Sequence, residues 1–570
     1  MLTDRQLNRL LLIFGIFLFV SHLSPDHIHP YREYIHDALG GLAVLLAWGY
    51  LACIPKVTLK LPVLLLVPFG LIAVIVAQTL GGDVLFQVDS VFPVVYLVGF
   101  ALAIVLGATI AAQDNGFDKL CNLLSWVYLA VGLVSVVFQN LQLFDIEIPR
   151  VVMSIHDRSI LRPYANIAQP NLLALILCFA LASVWWRYKA KQLPARIGVL
   201  FVLVLLWGLA LTQARVAWLI LPLLTVLAGQ RTDNGRSVSK WLLLALLTVY
   251  AGLVLITPSM LGWVGVTVTS LSERAGQTGV RVVLWKQAWV MSVLHPWLGI
   301  GWYQFGRYQV MLAGLFPTAE YSEYAHNIVL NLAAEIGWPL TIATLGGFSY
   351  WFYQTCVRFW RNAGTRYLSL IIVAAMVHSL VEFPLWNGFL LFPFGVMLGA
   401  LNRPAAGERV ETLSRYWVAA VCSAGLIFVS AASWDYVRVV LAFSTLEAEQ
   451  RPGYLGPVNT TKPDFSLYAQ FFDYCHVPKI AVRQGMNPEE IAFLERASLR
   501  FGFPSVLMRL ALAYAYNNRQ NEALQVLTSI QHLHPSAYEK TYSTWAEYAK
   551  QDPNFYTPIF SRMPAPVSRN

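Results

Sequence analysis

Long apolar runs, broken by short polar clusters, set the pattern of this chain. A helix that crosses a bilayer needs about 20 mostly apolar residues, and somewhat fewer when it packs inside a bundle. Thirteen runs meet that need, near 9–24, 35–54, 61–80, 90–112, 119–142, 170–186, 196–212, 215–229, 241–260, 337–357, 367–383, 386–402 and 416–434. The stretch 367–402 reads as a tight helical hairpin turned at Phe383-Pro384-Leu385, since proline breaks a helix. The first run lacks a small-residue cleavage site and reads as a retained span. Past about 436 the chain turns polar and helical in period, with no further span. The expected fold class is therefore all-α: a polytopic helical bundle over 1–435, with a loop at 261–336, followed by a helical domain over 436–570.

Composition agrees with lipid as the main solvent. The 570 residues are 57% hydrophobic and 12% charged, against about 25% charged in soluble domains. The net charge of +9 does not point to nucleic acid, because the basic residues sit in short clusters between apolar runs. With a cytoplasmic N-terminus, the inside loops carry Lys56 and Lys60, Lys119, Arg187 to Arg196, Arg231 to Lys240, Arg358 to Arg366, and Arg403 to Arg415. The outside turns near 81–89 and 384–385 carry no Lys or Arg. The positive-inside rule then places the C-terminus outside. Cys53, Cys121, Cys178, Cys356, Cys422 and Cys475 form no CxxC pair, which argues against a thiolate metal site, and the tail holds Cys475 alone.

Two outside segments exceed a turn, 143–169 and 261–336. The second is rich in Trp, Tyr and Gly and reads as an ordered lid over a site. In the tail, residues 503–535 have the spacing of a tetratricopeptide hairpin, with Leu507, Leu510, Ala511, Tyr514, Ala523, Leu527 and Pro535 at the positions that repeat uses. A plain small helical domain would show the same period.

The topology makes three arginines conspicuous, because Arg162, Arg215 and Arg281 fall on the outside. An arginine at the membrane edge either snorkels to headgroup phosphate or lines a polar cavity that binds a ligand. His326, in YAHNIVLNLAAEIGWPL, is either a histidine satisfied at a helix start or a base that takes a hydroxyl proton and returns it. His156, His295 and His378 are weaker candidates, the last beside Glu382 within a span. Gln169 and Asn171, in AQPN, either cap a helix or line a cavity. No phosphate-binding P-loop, HExxH or GxSxG motif occurs, so neither ATP nor any other cofactor is expected.

These residues resemble a known pattern. TGVRVVLWKQA, HPWLGIGWYQF and AHNIVLNLAAEIGWPL together look like the signature of the O-antigen ligase superfamily, here Arg281, Trp285, Pro296, Gly299, Gly301, His326, Asn327, Glu335 and Gly337. RPYANIAQPNLLALIL and HSLVEFPLWNGFLLFPFGVMLG resemble segments of bacterial O-linked oligosaccharyltransferases of the PglL and pilin-glycosylase type.

The resemblance implies an inner-membrane enzyme that moves a preassembled glycan from undecaprenyl diphosphate to a Ser or Thr of a periplasmic or pilin-like protein. It implies His326 as the base and Arg215 and Arg281 as a diphosphate clamp. Arg162, Gln169, Asn171, Asn327 and Glu335 are expected in the same cavity. Arginine forks bind phosphate oxygens in bidentate fashion, so no metal is expected. An O-antigen ligase acting on lipid A core would share the donor and differ in acceptor. A flippase or transporter would want charges near the bilayer midplane and internal repeats, and the sequence has neither.

Overall fold

A computed structural model describes residues 2–55, 57–155, 161–233, 238–263, 265, 271–316, 320–402, 410–449 and 462–566. His156 and the basic residues Lys56, Arg236, Arg403 and Arg409 lie outside the described residues.

Nine helices open the chain: α1 (Asp4–Leu23), α2 (Tyr34–Ala52), α3 (Leu66–Gly81), α4 (Val91–Ala111), α5 (Gly116–Leu143), α6 (Pro170–Lys189), α7 (Ala195–Thr212), α8 (Ala217–Ala228) and α9 (Lys240–Trp263). The long loop supplies α10 (Leu271–Leu294), α11 (Phe305–Met311) and α12 (Ile328–Ile336). Then come α13 (Trp338–Phe352), which a five-residue π turn prolongs to Val357, α14 (Ala363–Ser379), α15 (Gly388–Leu401) and α16 (Arg415–Glu449). The tail adds α17 (Ala469–His476), α18 (Pro488–Arg500), α19 (Pro504–Tyr516), α20 (Gln520–Leu533), α21 (Pro535–Gln551) and α22 (Pro553–Phe560).

Each of the thirteen apolar runs is a helix: α1–α9 and α13–α16. Among the described residues, nine segments are long and apolar enough to cross a membrane, while α8, α14 and α15 are shorter apolar helices. The protein is an all-α, multi-pass membrane protein. Its exposed side chains include Leu66, Trp241 and Ile427, each at least two-thirds accessible, as expected where lipid is the neighbour. The only sheet among the described residues is a short antiparallel ribbon, β1 (Val57–Lys60) with β2 (Val410–Leu413), in register Val57 to Leu413 and Lys60 to Val410.

The chain divides into two compact units. The first takes 1–71, 95–270 and 346–431. Its helices pack through small residues: a Cβ at Gly107 of α4 would overlap the Val396 carbonyl, and one at Gly399 of α15 would overlap the Ile104 carbonyl. Lipid gives helices no hydrophobic drive to associate, so close backbone approach of this kind supplies the dispersion that holds them. Buried Arg366 donates to the carbonyls of Trp360, Gln230 and Arg231 at 3.0, 2.6 and 2.7 Å, tying the α8–α9 and α13–α14 connections together.

The second unit takes 72–94, 271–345 and 432–570. The loop that contains α10–α12 and the tail thus fold as one body. The tail has its own core, including Leu494, Leu507, Ala511, Leu527, Ile530 and Trp545. Helices α19 and α20 form a helical hairpin over 504–533. Helix α16 is 35 residues long and runs unbroken past position 435.

Candidate active site

The signature residues of the second unit assemble around one turn. Gly299 (φ +71°) and Gly301 (φ +105°) carry the chain through a backbone that L side chains rarely adopt. This lets the Ile300 and Gly301 N–H groups donate to the Ala334 and Glu335 carbonyls at 2.8 and 3.2 Å. Gly337 (φ +80°) breaks the helix between α12 and α13, and the Trp338 N–H donates to the Pro296 carbonyl at 2.9 Å. A Cβ at Gly299 would overlap Glu335 backbone, and one at Gly337 would overlap the Trp297 carbonyl. Gln78 locks the turn, its amide donating to the Leu298 and Glu335 carbonyls at 2.7 and 2.8 Å and accepting from the Trp302 N–H at 2.9 Å. Pro-x-x-Gly-x-Gly and Glu-x-Gly are therefore two halves of one clasp.

The clasp sets α10 against α12. Leu284, Ala288 and Met291 of α10 share an apolar cluster with Ala325 and Ala334. Arg281 belongs to the same stripe of α10, one turn earlier, and is half-buried. The clasp joins the C-terminal ends of the two helices. At ~1.5 Å per residue, α12 climbs back about 13 Å from it, which sets the start of α12 level with α10 near Trp285, one turn from Arg281.

His326 stands immediately before that start, half-buried and in the left-handed region at φ 52°. It does not adjoin the apolar helix α13. Nine helical residues and the Gly337 break lie between. The next residue, Asn327, caps α12: its side-chain oxygen accepts from the Val329 and Leu330 N–H groups at 3.0 and 3.1 Å. That cap satisfies two donors the helix would otherwise leave open. Glu335 is fully buried, and burial pushes its carboxyl up to about 8, against the smaller opposing effect of the Tyr303 backbone and the Asn331 amide. Burial thus favours its protonated form.

The segment just ahead of His326 is held from several sides. The Ser322 N–H donates to Gln309 at 2.8 Å, and Gln309 donates to Gln287 at 2.9 Å and to the Glu320 carbonyl at 3.0 Å. Glu323 accepts from the Tyr303 hydroxyl at 2.6 Å and from Arg500 Nη1 at 2.7 Å. The same buried guanidinium donates through Nε and Nη2 to the two oxygens of Asp89, at 2.7 and 3.2 Å. Burial works against the Arg500 charge, but Asp89, Tyr303 and Glu323 outweigh it and hold its pKa well above the ordinary value. Sequence reasoning missed this cluster. Asp89 and Arg500 are 411 positions apart, and no local pattern links them.

The remaining candidates, His295 apart, lie in the first unit. Arg162 donates to the Thr212 carbonyl at 3.0 Å and to Asn171 at 3.2 Å, and Asn171 donates to Glu382 at 2.8 Å. Those residues come together as a chain of polar side chains. Gln169 caps α6, its side chain accepting from the Leu172 N–H at 2.5 Å. The segment that contains them is tethered by buried amides. Gln142 binds the Met153 and Ala165 carbonyls at 2.8 and 2.9 Å, and Asn166 binds those of Leu23 and Val151 at 2.7 and 2.8 Å. Arg215 is exposed in the turn between α7 and α8. His378 is buried in α14, and its carbonyl accepts from the Glu382 N–H at 2.9 Å. His295, in the second unit, is exposed and edge-on to Tyr308. No group of three or more His, Cys, Asp or Glu side chains placed to hold a metal occurs among the described residues.

A family model described as O-antigen ligase matches residues 199–345, which contain the whole clasp. A second, described as virulence factor membrane-bound polymerase, C-terminal, matches residues 367–549. The chain is 23% identical over 554 residues, 93% of each protein, to the general O-oligosaccharyltransferase of Acinetobacter baylyi. It is 25% identical over 342 residues to the ComP-specific O-oligosaccharyltransferase of the same organism, covering 58% of this chain and 60% of the relative.

Proposed function

We propose that this chain, an oligosaccharyltransferase of the O-antigen ligase superfamily, moves a preassembled glycan en bloc from undecaprenyl diphosphate to a Ser or Thr hydroxyl of a secreted, pilin-like protein. Its activity class is protein O-glycosylation. The finer reading places the reaction on the outer face of the bacterial cytoplasmic membrane, with the N-terminus inside and the C-terminus outside. It divides the chain into a catalytic bundle over 1–435 and a helical tail over 436–570.

The observation that carries the reading is the clasp. It sets α12, which His326 and its cap Asn327 precede, against the buried stripe of α10 made by Leu284, Ala288 and Met291, and half-buried Arg281 lies one turn before that stripe. A hydroxyl is a poor nucleophile until a base removes its proton, and an imidazole nitrogen can take that proton and return it. Such a base contributes about 10²–10⁴ in rate, roughly 3–5 kcal/mol. The leaving diphosphate gains negative charge as the glycosidic bond breaks. Arg281, and separately Arg215, offer guanidinium forks that stay protonated and suit phosphate oxygens. The donor's anomeric carbon is already activated, so the step calls for no nucleotide. Arg162, Asn171 and Glu382 form a polar chain suited to sugar hydroxyls.

The test is reconstitution with a lipid-linked glycan, offering a pilin, another secreted protein and lipid A core separately. Glycan on the protein is the expected result, and glycan on the core alone would make the chain a ligase. At matched membrane levels, His326→Ala and His326→Gln both lose transfer, since glutamine holds a hydrogen bond but cannot take the proton. Near-normal transfer by both removes His326 as the base.

A further inference from the structure

We propose that Arg500, in the tail, is a positioning residue for the transfer reaction, acting through Glu323 on the segment that ends at His326. The inference rests on the reading of His326 as the base.

Three observations support it. First, all three guanidinium nitrogens donate to carboxylates. Two of its nitrogens take both oxygens of Asp89 and the third takes Glu323 at 2.7 Å, with arginine and aspartate both buried. Charge-assisted bonds in such a fork are strong and directional, so they fix the height and angle of whatever they hold. Second, Glu323 is one-third exposed and lies three residues before His326. Its other oxygen accepts from Tyr303, which follows the Gly299–Gly301 turn directly and lies under the guanidinium at 4.8 Å. The cluster therefore joins the tail to the segment that follows the Gly299–Gly301 turn and to the segment that precedes His326. Third, the tail grips the same segment twice more. The Tyr321 N–H donates to the Leu533 carbonyl at 3.1 Å, and its hydroxyl donates to the Arg500 carbonyl at 3.3 Å. The tail thus completes the platform on which the candidate base stands.

A buried ion cluster can serve folding alone, so the variants must separate the two roles. Removing Arg500 by itself would strand Asp89 as a buried charge. The pair Asp89→Asn with Arg500→Met removes both charges and leaves Glu323 without its tail partner. Arg500→Lys keeps the buried charge paired but loses the planar fork. The full chain is reconstituted with lipid-linked glycan and a pilin-like acceptor, and kcat and KM are measured for each substrate. Folding is checked by protease resistance of the tail core.

The neutral pair is expected to keep its fold and its donor KM while kcat falls by about tenfold or more, the scale set by small misplacements of catalytic groups. Arg500→Lys recovers part of that loss. Glu323→Gln added to the neutral pair lowers kcat no further, because the Arg500 link is already gone and the amide oxygen still accepts from Tyr303. Wild-type kcat in the neutral pair overturns the proposal, and so does a full, independent loss from the added Glu323→Gln. If the neutral pair does not fold, wild-type kcat in Arg500→Lys overturns it instead. The two readings fail differently. Full transfer by His326→Ala with a non-additive Arg500–Glu323 loss removes the base and leaves the tail acting on this segment. Loss in His326→Ala with wild-type kcat in the neutral pair keeps the base and removes the tail's role.

Discussion

Replacing Glu335 by glutamine isolates the cost of burying an acid at the heart of the signature. The carboxyl titrates near 4.5 in an unfolded chain and near 8 in the fold, because burial penalises its charged form. Between those values the folded state holds a proton that the unfolded state has released. Its pKa is raised, so stability is highest below pH 4.5 and declines as pH rises toward 8. Roughly three and a half pH units at ~1.4 kcal/mol each bounds the decline at about 5 kcal/mol. Glutamine has the same shape and stays neutral, so Glu335→Gln removes that dependence. The assay is thermal unfolding in detergent at pH 5, 6, 7 and 8. The variant and the parent should differ least at pH 5, and the variant should be several degrees more stable at pH 8. Other titrating groups are common to both proteins and cancel in the difference. Parallel curves across the range would show that Glu335 is charged in the fold and that the burial argument is wrong.

Three further outcomes are expected. Arg281→Ala and Arg215→Ala each raise the donor concentration needed for transfer, and lysine rescues only in part because it lacks the fork. Titration of lipid-linked glycan measures this, and full rescue by lysine at both positions would reduce them to point charges. Gly337→Ala, strained at φ +80° and blocked by the Trp297 carbonyl, loses about 1–3 kcal/mol or more and loses transfer with it, read by thermal unfolding and glycan transfer. A topology reporter fused after Asn570 reads as outside the cytoplasm. A cytoplasmic signal would shift the count by one span, with 367–402 the first place to look.

How much of this was legible beforehand depended on the range of the interactions. Every apolar run became a helix because lipid forces the backbone to satisfy itself within the segment, and apolar length alone reports that. The turn near Pro384 was equally local, written in proline. The signature could be named from spacing, yet its purpose as a clasp needed the fold, since Gly299 and Gly337 matter through what a Cβ would strike. Asn327, Glu335 and Gln169 carry polar groups that suit a cavity or a scaffold equally well. Only the structure assigned Asn327 and Gln169 to helix caps and buried Glu335 as an uncharged acid. The ion cluster of Asp89, Glu323 and Arg500 left no trace in the sequence. Each member looks like an ordinary surface charge in its own neighbourhood, and a charge becomes a buried, directional partner only when chain folding removes its water and supplies its counterpart from hundreds of positions away.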